Sequence, residues 1–137
     1  MKRSLLLLGT IVLLCCFTRT AFAQIPNAGF ENWSPTPPPP PPDFITPDNW
    51  GTSNFAPFSA VNVTRSGTAH SGNYSVRGDV ISVLGTPGYA PMIAAGSNVD
   101  GFAWTQRSAS ITGYYQFFPV SGSGDRISIL GSLMKGG

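Results

Sequence analysis

Ser108-Ala109-Ser110-Ile111-Thr112-Gly113-Tyr114-Tyr115-Gln116-Phe117-Phe118 alternates with period two over eleven residues. Ala109, Ile111, Gly113, Tyr115 and Phe117 fall on one face, and Ser110, Thr112, Tyr114, Gln116 and Phe118 on the other. Side chains of an extended chain point alternately to its two faces, so this pattern predicts a strand. Ile127, Ile129, Gly131 and Leu133 alternate in the same way with Ser128, Leu130 and Ser132. Ser121-Gly122-Ser123-Gly124-Asp125 lies between the two runs and carries turn chemistry. The expectation is two neighbouring antiparallel strands that bury Ile111, Tyr115, Ile127 and Ile129.

Shorter runs extend the pattern toward the N-terminus. Ala60-Val61-Asn62-Val63-Thr64 and Tyr74-Ser75-Val76-Arg77 alternate, and Val80 to Leu84 is a short apolar run. Clusters of Gly, Pro, Asn and Ser separate them, and no segment carries a 3.6-residue period. Five to seven short strands with turns between them predict an all-β antiparallel sandwich. No substantial helix is expected after residue 24.

The first 23 residues read as an export signal. Lys2 and Arg3 form a positive start, Leu5 to Phe17 is apolar apart from Gly9 and Thr10, and Ala21-Phe22-Ala23 is a small-x-small cleavage site. The apolar run is shorter than the roughly 20 residues of a membrane-spanning helix. The mature chain is therefore expected to start at Gln24, to be secreted or held at the cell surface, and to make no membrane insertion after cleavage. Both cysteines, Cys15 and Cys16, leave with the signal, so the mature chain forms no disulfide. Its stability must come from its core or from a metal. Lys2, Arg3 and Arg19 leave too, and the formal net charge of +2 falls to −1. A basic partner-seeking surface is thereby lost, and nucleic acid is not an expected partner. Residues 24–137 are the length of one domain.

Pro37 to Pro42 is an unbroken proline run, flanked by Pro35 and Pro47. Proline fixes φ and removes the amide donor, so the run predicts polyproline II in a loop insertion over 35–47. A stiff spacer accounts for it; a ligand for a proline-recognising domain is the other reading.

Three quoted motifs carry a family resemblance. Asn27-Ala28-Gly29-Phe30-Glu31-Asn32-Trp33, then Pro47-Asp48-Asn49-Trp50, then Ala69-His70-Ser71-Gly72-Asn73-Tyr74-Ser75-Val76-Arg77 resemble the N-terminal half of a secreted galactose-binding-like jelly-roll. The order is similar to that of carbohydrate-binding modules of the family-four and family-nine kind, and of carbohydrate-metabolism domains of polymer-degrading Gram-negative bacteria. Arg107 to Phe117 is similar to the long strand of those domains. The resemblance implies a jelly-roll with its last strand missing, since the final aspartate-bearing strand of such domains has no counterpart here. It also implies a structural calcium held partly by Glu31, with Asp79 and the carbonyls near Ser71-Gly72 as further ligands. One carboxylate cannot supply the six to eight oxygens that calcium takes, and a glutamate that simply hydrogen-bonds a loop is the alternative.

The function expected from these features is non-catalytic carbohydrate binding. Aromatic rings accept the CH face of a pyranose while flanking polar groups take its hydroxyls. Trp104, Tyr114 and Tyr89 stand among Gln106, Arg107 and Gln116, which is such a mixture. Trp104, Arg107, Tyr114, Gln116 and Tyr89 are therefore the candidate glycan-binding residues, with packing as the competing role for the rings. Phe30, Trp33, Trp50 and Tyr115 are read as packing residues. A structural or adhesive sandwich without a sugar site is the alternative function. An enzyme is not expected. His70 is the only histidine and has no nucleophile at triad spacing, the G-x-S-x-G elbow is missing, and Asp43, Asp48, Asp79, Asp100 and Asp125 are scattered.

Overall fold

A computed structural model describes residues 25–36, 45–96, 101–104, 108 and 110–132. The signal segment, residues 37–42 of the proline run and Arg107 lie outside these. Within the described residues the chain is all-β and antiparallel, of the sandwich class, with no α-helix. Its eight strands have only three or four residues each, more and shorter than the alternation predicts, and they form two-stranded ladders. No jelly-roll strand order emerges from them.

The first ladder joins β1 (Trp33–Pro35) to β2 (Ile45–Pro47), with Trp33 opposite Pro47 and Pro35 opposite Ile45. The proline-rich segment thus leaves and returns at one antiparallel pair, and its two ends belong to strands. Two prolines are tolerated because each strand has a free edge. The second ladder is the long-range one: β3 (Trp50–Thr52) pairs with β8 (Ile93–Ala95). The third pairs β4 (Val63–Ser66) with β5 (Ser75–Gly78), and here the alternation in both sequences is realised with a shift of one to three residues. The fourth is a hairpin of β6 (Ile81–Val83) and β7 (Thr86–Tyr89). Its two-residue turn places Leu84 at φ 50° and Gly85 at φ 79°, both left-handed, as a type I′ turn requires.

The core is small. Pro47, Ala60, Asn62 and Val63 are the fully buried centre, where β2 packs on β4. Phe30, Trp33 and Trp50 form a half-buried rim. The Trp50 indole donates to the Pro26 carbonyl at 3.0 Å and its ring meets Phe30 at 4.8 Å, while the Trp33 indole donates to the Phe30 carbonyl at 2.6 Å.

A polar knot ties the ladders together. Asn54 Oδ1 accepts from the main-chain N–H of Asn62 (2.9 Å) and Val63 (2.8 Å), and its Nδ2 donates to the Val63 carbonyl (2.7 Å). One side-chain amide thus stands in for a neighbouring strand beside the start of β4. The buried Asn62 amide accepts from Ser53 Oγ at 2.7 Å and donates to the Tyr89 carbonyl at 3.4 Å. Burying an amide without such partners would cost several kcal/mol, on the order of 2–7.

The C-terminal segment departs from expectation. The turn forms, with the Ser123 N–H donating to the Val120 carbonyl at 3.0 Å and Asp125 accepting from the Val120 N–H at 3.0 Å. The flanking runs come close, as Ile111 and Ile129 line one hollow, but no ladder joins them. Ile111, Tyr115, Ile127 and Ile129, expected in the core, are 69%, 66%, 45% and 69% exposed. The reason lies in the pattern itself. Apolar residues occupy both faces, Ile111 and Tyr115 on one and Tyr114 and Phe118 on the other, so burial needs cover from two sides. The small core around Val63 does not supply it.

Candidate functional site

Tyr114 is the best-presented of the candidate residues. It is 79% exposed, yet its ring is not loose: it lies on the His70 imidazole with centroids 3.4 Å apart and planes within 8°. His70 sits in the bend between β4 and β5, so the loop of that ladder braces the C-terminal segment. One face of the phenol ring is thus occupied, and the other is open. Gln116, two residues on and with the same parity, is exposed. Beside them Ile111, Thr112, Gly113, Tyr114, Tyr115 and Ile129 line a hollow of about 280 Å³, near the lower limit of small-molecule sites.

The other candidates are held elsewhere. Trp104 is half-buried, packs edge-on against Phe102 at 5.7 Å, and keeps its indole N–H buried without an acceptor among the described residues. The Tyr89 hydroxyl donates to the Ser53 carbonyl at 2.6 Å, which ties the end of β7 to the polar knot. Arg107 and Gln106 lie outside the described residues. His70 was missed as a partner of the site: its sequence context marks a turn, and nothing local records that a ring 44 positions later would lie on it.

Glu31 has a definite task. Its carboxylate accepts from the Asn73 N–H at 2.9 and 3.2 Å, from Asn73 Nδ2 at 3.2 Å and from the Tyr74 N–H at 3.2 Å. Three donors stabilise the charged form, led by the Tyr74 N–H, and hold the pKa below the usual glutamate value. Gly72, at φ 75°, lets the loop pass close over this carboxylate; a Cβ there would collide with Glu31. The groups around Glu31 are N–H donors, of the wrong sign for a cation. Asp79, the other carboxylate considered, pairs with Arg77 at 2.8 Å. Among the described residues no three His, Cys, Asp or Glu side chains converge. This donor set does not fit calcium.

Among the described residues no helix is long and apolar enough to cross a membrane. No protein-family model, no curated protein and no solved structure matches the chain. The jelly-roll motifs therefore have no relative to support them beyond their own residues.

Proposed function

We propose that this chain is an exported, non-catalytic carbohydrate-binding domain whose platform is Tyr114. The observation that supports it is the braced, outward-facing ring: 79% exposed, and stacked at 3.4 Å on His70 behind. A sugar stacks best on a ring that is already fixed, because no side-chain freedom is then lost on binding. The exposed Gln116 amide offers both a donor and an acceptor to hydroxyls on the same side. Trp104 and Tyr89 take packing and tethering roles in this reading.

The alternative, a structural or adhesive domain without a sugar site, draws on a different observation. Phe118, Val120 and Leu130 are 84%, 71% and 94% exposed, which makes an apolar surface larger than one stacked sugar covers. Titration of Tyr114→Ala against a glycan array separates the two. Loss of the stacking ring should weaken binding by about 1 kcal/mol or more, roughly fivefold, with far-UV circular dichroism unchanged. Unaltered glycan affinity in that variant, or no glycan binding by the parent, leaves the structural reading.

A further inference from the structure

We infer that Glu31 is a positioning residue for the Tyr114 platform, acting through the loop over residues 67–74 and the His70 ring that this loop carries. The loop joins β4 to β5 and leaves the ladder where Ser66 faces Ser75. Among the described residues its main chain makes no hydrogen bond to other main chain. Two side-chain anchors hold it instead. At its start, the Thr68 N–H donates to Ser66 Oγ at 3.1 Å and Ser75 Oγ donates to the Thr68 carbonyl at 2.6 Å. At its end, the Asn73 and Tyr74 N–H groups donate to the Glu31 carboxylate. The first anchor belongs to the ladder, as does Arg65, whose guanidinium lies over the Tyr74 ring 4.4 Å from its centroid. The second comes from a residue 42 positions away in the chain. His70 lies between the two anchors. There His70, Ser71 and Gly72 are exposed, so burial does not fix them. A span tied at one end can swing; tied at both ends, it places His70.

That placement matters to Tyr114 because its own stretch is lightly held. Among the described residues, 110–118 make no main-chain hydrogen bond. The Tyr114 ring rests on the imidazole with centroids 3.4 Å apart and planes within 8°. Where His70 stands therefore sets how Tyr114 is turned. Gly72 shows how closely the loop is drawn onto the carboxylate: it holds φ 75°, which favours glycine, and a Cβ there would run into Glu31. The contacts are contiguous, from the carboxylate to residues 73 and 74, along the chain to His70, and ring to ring to Tyr114. Breaking a coupling of this kind changes a distant binding event about two- to thirtyfold. Glu31 itself touches no sugar in this scheme. The inference takes its platform from the glycan reading, yet its first readout needs no glycan.

Proton NMR of the purified protein tests this, at about pH 8.5 so that the imidazole is neutral. His70 is the only histidine, so its ring signals identify themselves. In the parent the Tyr114 ring current should shift them upfield, and Tyr114→Ala supplies their unstacked position. Glu31→Gln keeps the side chain's size but turns one oxygen into a donor that faces donors. It should move the His70 signals toward the Tyr114→Ala position, with far-UV circular dichroism unchanged. Gly72→Ala pushes the loop off the carboxylate with Glu31 intact and should do the same; it gives the answer alone where Glu31→Gln does not fold. On a glycan array, Glu31→Gln should weaken binding about two- to thirtyfold, and should cost nothing further in a His70→Ala background. Unmoved His70 signals in a folded Glu31→Gln or Gly72→Ala variant overturn the inference, as do parent signals equal to those of Tyr114→Ala. So does full additivity of Glu31→Gln with His70→Ala. A parent that binds no glycan refutes the glycan reading alone, and the NMR comparison then decides the positioning role by itself.

Discussion

Removing the Asn54 side chain should be one of the most damaging polar substitutions in this chain. Asn54→Ala deletes three hydrogen bonds of 2.7, 2.8 and 2.9 Å. The groups left behind are the N–H of Asn62, the N–H of Val63 and the Val63 carbonyl, and both residues are 1% exposed. A hydrogen bond contributes about 1 kcal/mol net, while an orphaned buried group costs about 1–3 kcal/mol. Asn54 itself is half-buried, so the space it vacates opens toward solvent and water recovers part of the loss. The expected destabilisation is therefore about 3 kcal/mol. That is a large fraction of the 5–15 kcal/mol typical of a domain, and corresponds to a Tm lower by about 12 °C or more. Urea unfolding followed by tryptophan fluorescence measures it, since Trp33 and Trp50 lie at the edge of the core. Asn54→Asp retains the acceptor and loses the donor, and should fall between parent and Asn54→Ala. A loss below about 1 kcal/mol for Asn54→Ala would refute the view that this amide replaces a strand.

Three further outcomes follow from other parts of the fold. Leu84 holds φ 50° in the hairpin turn and is 79% exposed, so Leu84→Asn should relieve left-handed strain and raise stability by about 1 kcal/mol, read as a higher urea midpoint. Gly72→Ala meets both a positive φ and the Glu31 carboxylate, and should lower stability by about 1–2 kcal/mol through the backbone term alone. The folded-state pKa of Glu31 is depressed, so its contribution is complete above the ordinary carboxylate pKa and is lost as pH falls through the lower folded value. Amide exchange at Asn73 and Tyr74, corrected for intrinsic pH dependence, should accelerate only in that acid window, and Glu31→Gln should abolish the step.

The strands most legible in the sequence are those whose alternation leaves one face polar. Val63–Ser66 and Ser75–Gly78 fall close to the runs that announce them: Val63, Arg65, Val76 and Gly78 share one face, with Val63 buried and Arg65 lying over the Tyr74 ring, while Thr64, Ser66, Ser75 and Arg77 make the other face polar. The run 108–118 has the strongest alternation and forms no ladder here, since period two specifies extended backbone but not a partner to cover it. The β6–β7 turn was hidden because Leu84 reads as the end of an apolar strand, and leucine is not a residue whose type signals a left-handed turn. Pairing of β3 with β8 spans about 40 residues and has no local signature. For the site, Tyr114 and Gln116 are exposed, but so are Ile111 and Tyr115 of the opposite parity, so the alternation did not decide which side chains face solvent. The brace beneath Tyr114 was not legible either, because stacking between distant rings is set by how loops land after the ladders form. Glu31 serves the loop over residues 72–74 through N–H donors that no residue type advertises, which is the loop-bonding role weighed against a calcium ligand.

The β1–β2 ladder has a practical consequence for anyone handling this protein. Pro35 and Ile45 face each other across the ladder, so the chain between them departs and returns at a fixed gate. Whatever passes through that gate leaves the register of Trp33 with Pro47 unchanged. Doubling the length of the excursion would cost only about 0.6 kcal/mol in closure entropy. The gate is thus a natural port for an affinity tag, a fluorophore peptide or a crystallisation partner, far in sequence from Tyr114 and its histidine.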